Sequence, residues 1–406
     1  MDIDQKIHQW VCDIFKHENF KDIKVTITGS SEKGDGYVGD ITFITANIVT
    51  SEGETKDLEL VIKHGKLNDI LRKVMPVRAA FEREIYLYAK IIPQLQKFLD
   101  EKNVELSSQF LPKCYGTLLY DNEEVIILEN LKAQNYDLYN RYQPLNMDHL
   151  KLTLAIYGKW HALSFAYQDQ NPEEANKLFG NLQDLMVTLL KAIDNYMTDI
   201  QEVFHTILQE KNEVELIEGI KKQIPDFHTT FCQLSSELEN EKCVFLHGDC
   251  WNNNFMFQYD ANKSKPEAVK FLDFQISNFR PPVFDLAYHI YSVTSEKELQ
   301  HFDELLKIYH DSLSKTLKDL GSDTDSIYSY EDLKQQWKKF SSYGVMMASI
   351  VLPLALSSKE DTLDIGDMKE GSQTIKTAKR TLLTNGDKLT SRTIAFTKHY
   401  LDFLNK

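Results

Sequence analysis

His247-Gly248-Asp249-Cys250-Trp251-Asn252-Asn253-Asn254, followed by Asp273-Phe274-Gln275, decides how this chain is read. Between the two stretches lie the apolar runs Phe255 to Gln258 and Val269 to Leu272, a hairpin around a charged tip. Folding that hairpin returns Asp273 to the neighbourhood of Asn254. An amide oxygen and a carboxylate are hard ligands suited to magnesium. Asp249 is then left to accept a proton from an attacking hydroxyl. With ATP and Mg2+ as cofactors, this is the minimal set of a phosphotransferase with a kinase-like fold. His247 reads as an organiser of the loop. The plainer alternative is that these polar residues only cap turns.

Upstream parts can be matched to the same chemistry. Gly34-x-Gly36-x-x-Gly39 lies between two strand-like runs, Ile23 to Thr28 and Ile41 to Thr50. A strand-loop-strand glycine flap, with Gly34 and Gly36 at its centre, can cover phosphates with backbone N–H groups, although glycines also serve plain hairpins. Lys63 ends a third apolar strand, Leu58 to Lys63, where a lysine is costly unless paired. Its expected partner is Glu84, which shares a helix face with Phe81 and Tyr88. Glu82 is the competitor, and two solvated surface charges are the alternative. The strand Glu124 to Leu128 runs into Glu129-Asn130-Leu131. There Glu129 and Leu131 stand where backbone groups of a hinge could meet adenine.

Downstream, Asp285 opens a helix after Pro281-Pro282 and could hold the catalytic loop by accepting its hydrogen bonds, or act as a helix cap. His161 reads as a packed, hydrogen-bonded helix residue. Only a few residues separate Asp273 from Pro281. A protein kinase needs a long peptide-docking segment there, so a small-molecule acceptor with a hydroxyl is expected. Two other readings attach to the cysteines: a zinc site from Cys243, His247 and Cys250, for which no second ligand pair is present, and a Cys250 nucleophile beside His247.

The rest of the pattern fixes the class. Helices are expected over Asp4 to Lys16, over Pro76 to Ile92 with Pro93 as the stop, and over Met147 to Tyr167. Amphipathic helices fill much of Glu173 to Asn240 and nearly everything after Phe284, with loops at Gly321 to Glu331 and Ser357 to Gly371. The fold class is α+β: a bilobal, protein-kinase-like fold with a small, mainly antiparallel-sheet nucleotide lobe over residues 1–131 and a larger, mostly helical lobe over 132–406. A net charge of −15 argues against nucleic acid or an anionic membrane as partner. No apolar run reaches membrane-spanning length, and the acidic N-terminus has no signal core. Five cysteines without a C-x-x-C pair fit free thiols in a reducing cytoplasm. A monomer is expected.

The chain resembles the ecdysteroid-kinase-like family, also called the choline-kinase-like (CHK) group, relatives of choline kinase and aminoglycoside phosphotransferases. The resemblance rests on His247-Gly248-Asp249-x-Trp251-x-x-Asn254, on Leu272-Asp273-Phe274-Gln275 and on the Pro-Pro-x-x-Asp-Leu-Ala run ending at Ala287. Val61-Ile62-Lys63, Phe81-Glu82-Arg83-Glu84 with Tyr88, and Trp160-His161-Ala162-Leu163-Ser164 support it. It implies ATP-dependent phosphorylation of a small-molecule hydroxyl, with ecdysteroids and dietary compounds as implied acceptors. A nucleotide-binding pseudokinase and a choline-type kinase are the alternatives. Relatives often carry a small polar residue near Gly39, so the glycine flap is the least typical part.

Overall fold

Alternation along the strands builds the first layer. In this computed structural model, residues 2–30, 39–67, 72, 76–106, 110–180, 182–192, 196–358 and 372–406 are described. Strands β1 (Phe20–Ser30), β2 (Gly39–Thr50), β3 (Thr55–Gly65), β4 (Cys114–Tyr120) and β5 (Glu123–Glu129) form an antiparallel sheet in the order β1-β2-β3-β5-β4. Successive side chains point to opposite faces. Leu60 and Ile62 therefore pack with Ile44, Ile48, Val125 and Ile127 beneath helix α1 (Ile3–Phe15), which brings Ile7, Trp10, Val11 and Ile14. Val61 and Lys63 face the other way, into a cleft.

Helix α2 (Val77–Tyr86) covers that second face. Phe81 and Ile85 join Ile126 and Leu128 in the main core. Pro93 does not stop the helix, contrary to the expectation from sequence. A π turn over Leu87–Ile91 precedes it, with the Ile92 N–H bonded five residues back to Leu87, and α3 (Ile92–Lys102) carries on with Pro93 in its first turn. The wider π turn relieves the clash a proline ring would make with the carbonyl four residues back in a regular helix.

After β6 (Tyr136–Leu138) the chain is mostly helical: α4 (Met147–Gln170), α5 (Pro172–Phe179), α6 (Leu185–Ala192), α7 (Tyr196–Gln209), α8 (Val214–Gln223) and α9 (Phe227–Ser236). Short strands return as β7 (Val244–Phe245), β8 (Phe255–Tyr259), β9 (Pro266–Phe271) and β10 (Phe279–Arg280), giving sheets β6-β8-β9 and β10-β7. Helix α10 (Val283–Val293) is buried along its whole length. The expected loop at 321–331 instead holds a one-turn helix, Thr324–Ile327, capped by Asp323, and the next helix starts at Tyr330. Most of the other expected loop, 357–371, lies outside the described residues. Among the described residues no helix is long and apolar enough to cross a membrane.

Candidate active site

Register brings the candidate ligands together. In the β8–β9 hairpin Phe255 pairs with Phe271, so Asn254 and Leu272 meet at its open end, where the Leu272 N–H donates to the Asn254 carbonyl at 2.9 Å. Asp273 follows with φ +63°, a left-handed conformation uncommon for a residue with a side chain. It turns the chain sharply, and Ser277 closes the turn by donating its hydroxyl to the Phe274 and His247 carbonyls. The loop that carries Asp249 runs hard against this turn. Gly248 has φ +92°, and a Cβ there would stand 2.6 Å from the Ile276 carbonyl oxygen. Only glycine meets both demands.

Asp249 is a carboxylate held from several sides. Tyr288 donates to its Oδ1 at 2.8 Å. Asn254 Nδ2 at 2.7 Å and Trp251 Nε1 at 3.3 Å donate to Oδ2. Burial and the charge of Asp273 push its carboxyl up to about 6, against the hydrogen bonds, which pull it down. A carboxylate poised there is ionised at neutral pH yet basic enough to take a proton. Oδ1 keeps a lone pair for that purpose. Because Asn254 spends its Nδ2 on Asp249, its amide oxygen is the atom left for a cation.

Lys63 stands between two carboxylates, with Nζ 2.7 Å from Glu84 Oε2 and 3.0 Å from Asp273 Oδ1. Burial opposes its charge, but Asp273 and Glu84 outweigh burial and raise its pKa. Glu84 is fully buried; burial pushes its carboxyl up and Lys63 counters. Glu82, the competitor, pairs instead with Arg78 at the exposed face. Lys63, Glu84, Glu129, Leu131, Asn254 and Asp273 all line one cleft of ≈ 340 Å³.

The hinge and flap are less simple. The N–H groups of Glu129 and Asn130 are bonded to the carbonyls of Lys113 and Glu59, so neither is left over for a purine edge. Leu131 packs with Tyr136 and Met256. Gly34 and Gly36 lie outside the described residues. Gly39 is needed for packing, since a Cβ would come within 2.7 Å of the Phe81 ring and 2.8 Å of the His64 carbonyl.

His247 and Asp285 touch the loop rather than the cleft lining. Asp285, in the first turn of α10, accepts the His247 N–H at 2.7 Å and the Gly248 N–H at 2.9 Å, one on each oxygen. His161 Nε2 sits 3.2 Å from the same carboxylate and Tyr309 is on its other nitrogen. Asp285 is buried, which opposes ionisation, yet the His161 contact and neighbouring groups hold its carboxyl below the ordinary range. His247 is kept neutral by burial and contacts the Leu272 carbonyl at 2.8 Å. Both residues are therefore positioning groups. Cys250 is buried, donates to Asp285 at 3.1 Å, and has its thiol pushed well up by burial; a nucleophile needs the opposite. Among the described residues no three His, Cys, Asp or Glu side chains are arranged to share a metal, which removes the zinc reading of Cys243, His247 and Cys250. Magnesium asks less of the protein. One carboxylate and an amide oxygen, completed by phosphate oxygens and water, is a usual donor set, and Asp273 with Asn254 fits it.

Four residues escaped sequence reasoning. Tyr288 follows Asp285 by three residues, one helical turn along α10, so its hydroxyl was a legible candidate. Arg83 and the Arg280–Asp184 ion pair bond to distant chain and carried no local signal.

A family model described as the ecdysteroid kinase-like family matches residues 33–322. The chain belongs to the ecdysteroid kinase-like family. No curated protein sequence matches it. Solved structures similar to this ecdysteroid kinase-like chain include the GDP complex of wild-type aminoglycoside 2′-phosphotransferase-IIIa, 11% identical over 95% of this chain and 100% of that one, with a TM-score of 0.39. Another is aminoglycoside-3′-phosphotransferase of type VIII, 13% identical over 80% and 93%, with a TM-score of 0.32. A third is macrolide 2′-phosphotransferase MphH from Brachybacterium faecium, 12% identical over 84% and 96%, with a TM-score of 0.30.

Proposed function

We propose that the protein transfers the γ-phosphoryl group of ATP, with magnesium, to a hydroxyl of a small molecule. Ecdysteroids and dietary alcohols are the acceptor classes favoured by family membership. The observation that carries this reading is the carboxylate of Asp249, held by Tyr288 and Asn254 beside the cleft lined by Lys63, Glu84 and Asp273.

Each residue has a stated task. Lys63, steadied by Glu84, meets the phosphates near the head of the cleft. Asp273 and Asn254 hold the cation, which when bound neutralises charge developing on the phosphates. Asp249 orients the acceptor hydroxyl and takes its proton as the oxygen attacks phosphorus. Tyr288 and Trp251 fix the rotamer of that base. Asp285 holds the loop through backbone N–H groups, and His247 braces it against Leu272.

The short turn from Asp273 to β10 supports a small acceptor over a peptide. Five free thiols among the described residues support a reducing, cytoplasmic setting. The acidic balance supports neither nucleic acid nor membrane partners.

The test is an ATP-consumption screen of the purified protein against ecdysteroids, choline and plant alcohols, with product mass measured. A gain of one phosphate on an alcohol, absent in Asp249→Asn, is expected. Phosphorylation of choline alone would move the acceptor assignment to the cationic class. Nucleotide binding without turnover on any acceptor would favour a pseudokinase.

A further inference from the structure

Arg83 is adjacent to Glu84 on α2, yet it points out of the nucleotide cleft and into the helical part of the chain. Its side chain is buried. Nη1 donates to the Ser277 carbonyl and Nη2 to the Gln183 carbonyl, the latter at 2.8 Å. One turn on, Tyr86 donates to the Leu178 carbonyl at 3.1 Å. Helix α2 is thus bolted at two levels to chain about a hundred residues or more away.

Both anchor points matter chemically. Ser277 closes the turn that begins at Asp273 and also bonds the His247 carbonyl. Gln183 precedes Asp184, which caps α6 by accepting the N–H groups of Met186 and Val187 and pairs with Arg280. Asp184 and Met186 lie with Gly248 and Asp285 around a second, smaller recess on the catalytic loop, and neither lines the nucleotide cleft. Burial weakens the Arg83 charge, with Asp184 supporting it. Among the described residues Arg83 forms no ion pair of its own, so its two carbonyl bonds carry its orientation. A buried guanidinium that lost them would be left uncompensated.

We propose that Arg83 is a positioning residue that couples the two halves of the site: seating of α2, and with it the Lys63–Glu84 pair, depends on the order of the segment Gln183–Val187, and the reverse holds. This rests on the phosphotransferase reading. Lys63 and Glu84 are already paired at 2.7 Å, so a nucleotide that engages Lys63 and steadies that pair would also stiffen the Asp184 cap, outside its own cleft. Linkage requires the effect to run both ways.

Hydrogen exchange by mass spectrometry on the full-length protein, with and without MgATP, tests it without an acceptor. In the parent protein MgATP should slow exchange in α2 and also in Leu182–Thr188, the latter about tenfold, within the usual range of coupling between sites. In Arg83→Met, which keeps bulk and removes the donors, α2 should still respond while Leu182–Thr188 changes less than about twofold. Arg83→Lys, able to reach one carbonyl, should fall between them. If Arg83→Met does not fold, Arg83→Lys decides in its place, and a parent-like response in Leu182–Thr188 there overturns the coupling. A parent protein that responds in α2 but not in Leu182–Thr188, or a folded Arg83→Met that keeps the full response, overturns the coupling alone. Absence of any MgATP effect at Lys63 and α2 overturns the nucleotide reading itself, and the coupling with it.

Discussion

Tyr288 and Asp249 are joined by a 2.8 Å hydrogen bond, the hydroxyl donating to Oδ1. The bond favours the ionised carboxylate and opposes the upward push of burial. Tyr288→Phe should therefore move the acidic limb of kcat/KM upward from about pH 6. A hydrogen bond worth about 0.5–1.5 kcal/mol corresponds to roughly half a unit to one unit. Rate measurements across pH 5–9 would check it. A tyrosine of purely structural value would lower kcat at every pH and leave the limb where it was.

The same carboxyl should mark stability. Between its unfolded value near 4 and its folded value of about 6, the folded chain keeps a proton that the unfolded chain has released. Stability from this group is therefore greatest below pH 4 and declines as pH rises through 6. Asp249→Asn should remove that decline. At pH 7.5 the variant should melt above the parent, by up to roughly 2–3 kcal/mol of stability, with the gap closing by pH 4. Thermal melts at both pH values decide it, and equal gaps at both would contradict it.

Lys63 and Glu84 are unequal partners. Removing Glu84 leaves Lys63 with Asp273, but removing Lys63 strands a carboxylate with no exposure at all. Lys63→Met should cost about 3–5 kcal/mol in urea unfolding, more than Glu84→Gln. The double variant should recover part of the loss. If the single costs simply add, the pair is not the coupled unit drawn above.

Asp285 uses one oxygen for each of two backbone N–H groups. Asp285→Asn must set an amide N–H against one of them. A drop in kcat of about a hundredfold or more, with ATP affinity little changed, is the expected signature of a loop moved off its productive geometry. Calorimetric ATP titration beside steady-state kinetics would separate this from global unfolding.

Asp273→Asn should weaken the apparent magnesium affinity by about tenfold or more, since a hard cation loses its charged ligand. It should also loosen Lys63, which sits 3.0 Å away. Titrating magnesium at fixed ATP reads the first effect, and an unchanged midpoint would remove Asp273 from the metal's coordination.

Much of this was legible where the chemistry is local. A lysine closing Leu60-Val61-Ile62 announces its own burial, and Glu84 is placed by helical spacing from Phe81 and Tyr88. Asn254 and Asp273 follow from the hairpin between them. Arg83 was not legible, because a charged residue on a helix ordinarily faces water and its partners are carbonyls about one hundred and two hundred residues on. Strands β4, β6 and β10 were missed for a similar reason. Each is short or half-exposed and is defined by the neighbour it pairs with rather than by its own pattern. Pro93 misled because the π turn ahead of it supplies what a proline needs, and nothing in Leu87–Ile91 advertises that turn.

The stretch from Phe274 to Arg280 rejoins the sheet at once, Phe279 pairing with Phe245. Its one hydroxyl belongs to Ser277, sealed from solvent and already spent on two carbonyls. A protein kinase would find no accessible hydroxyl there. That stretch therefore offers no handle for a phosphate switch in the folded chain.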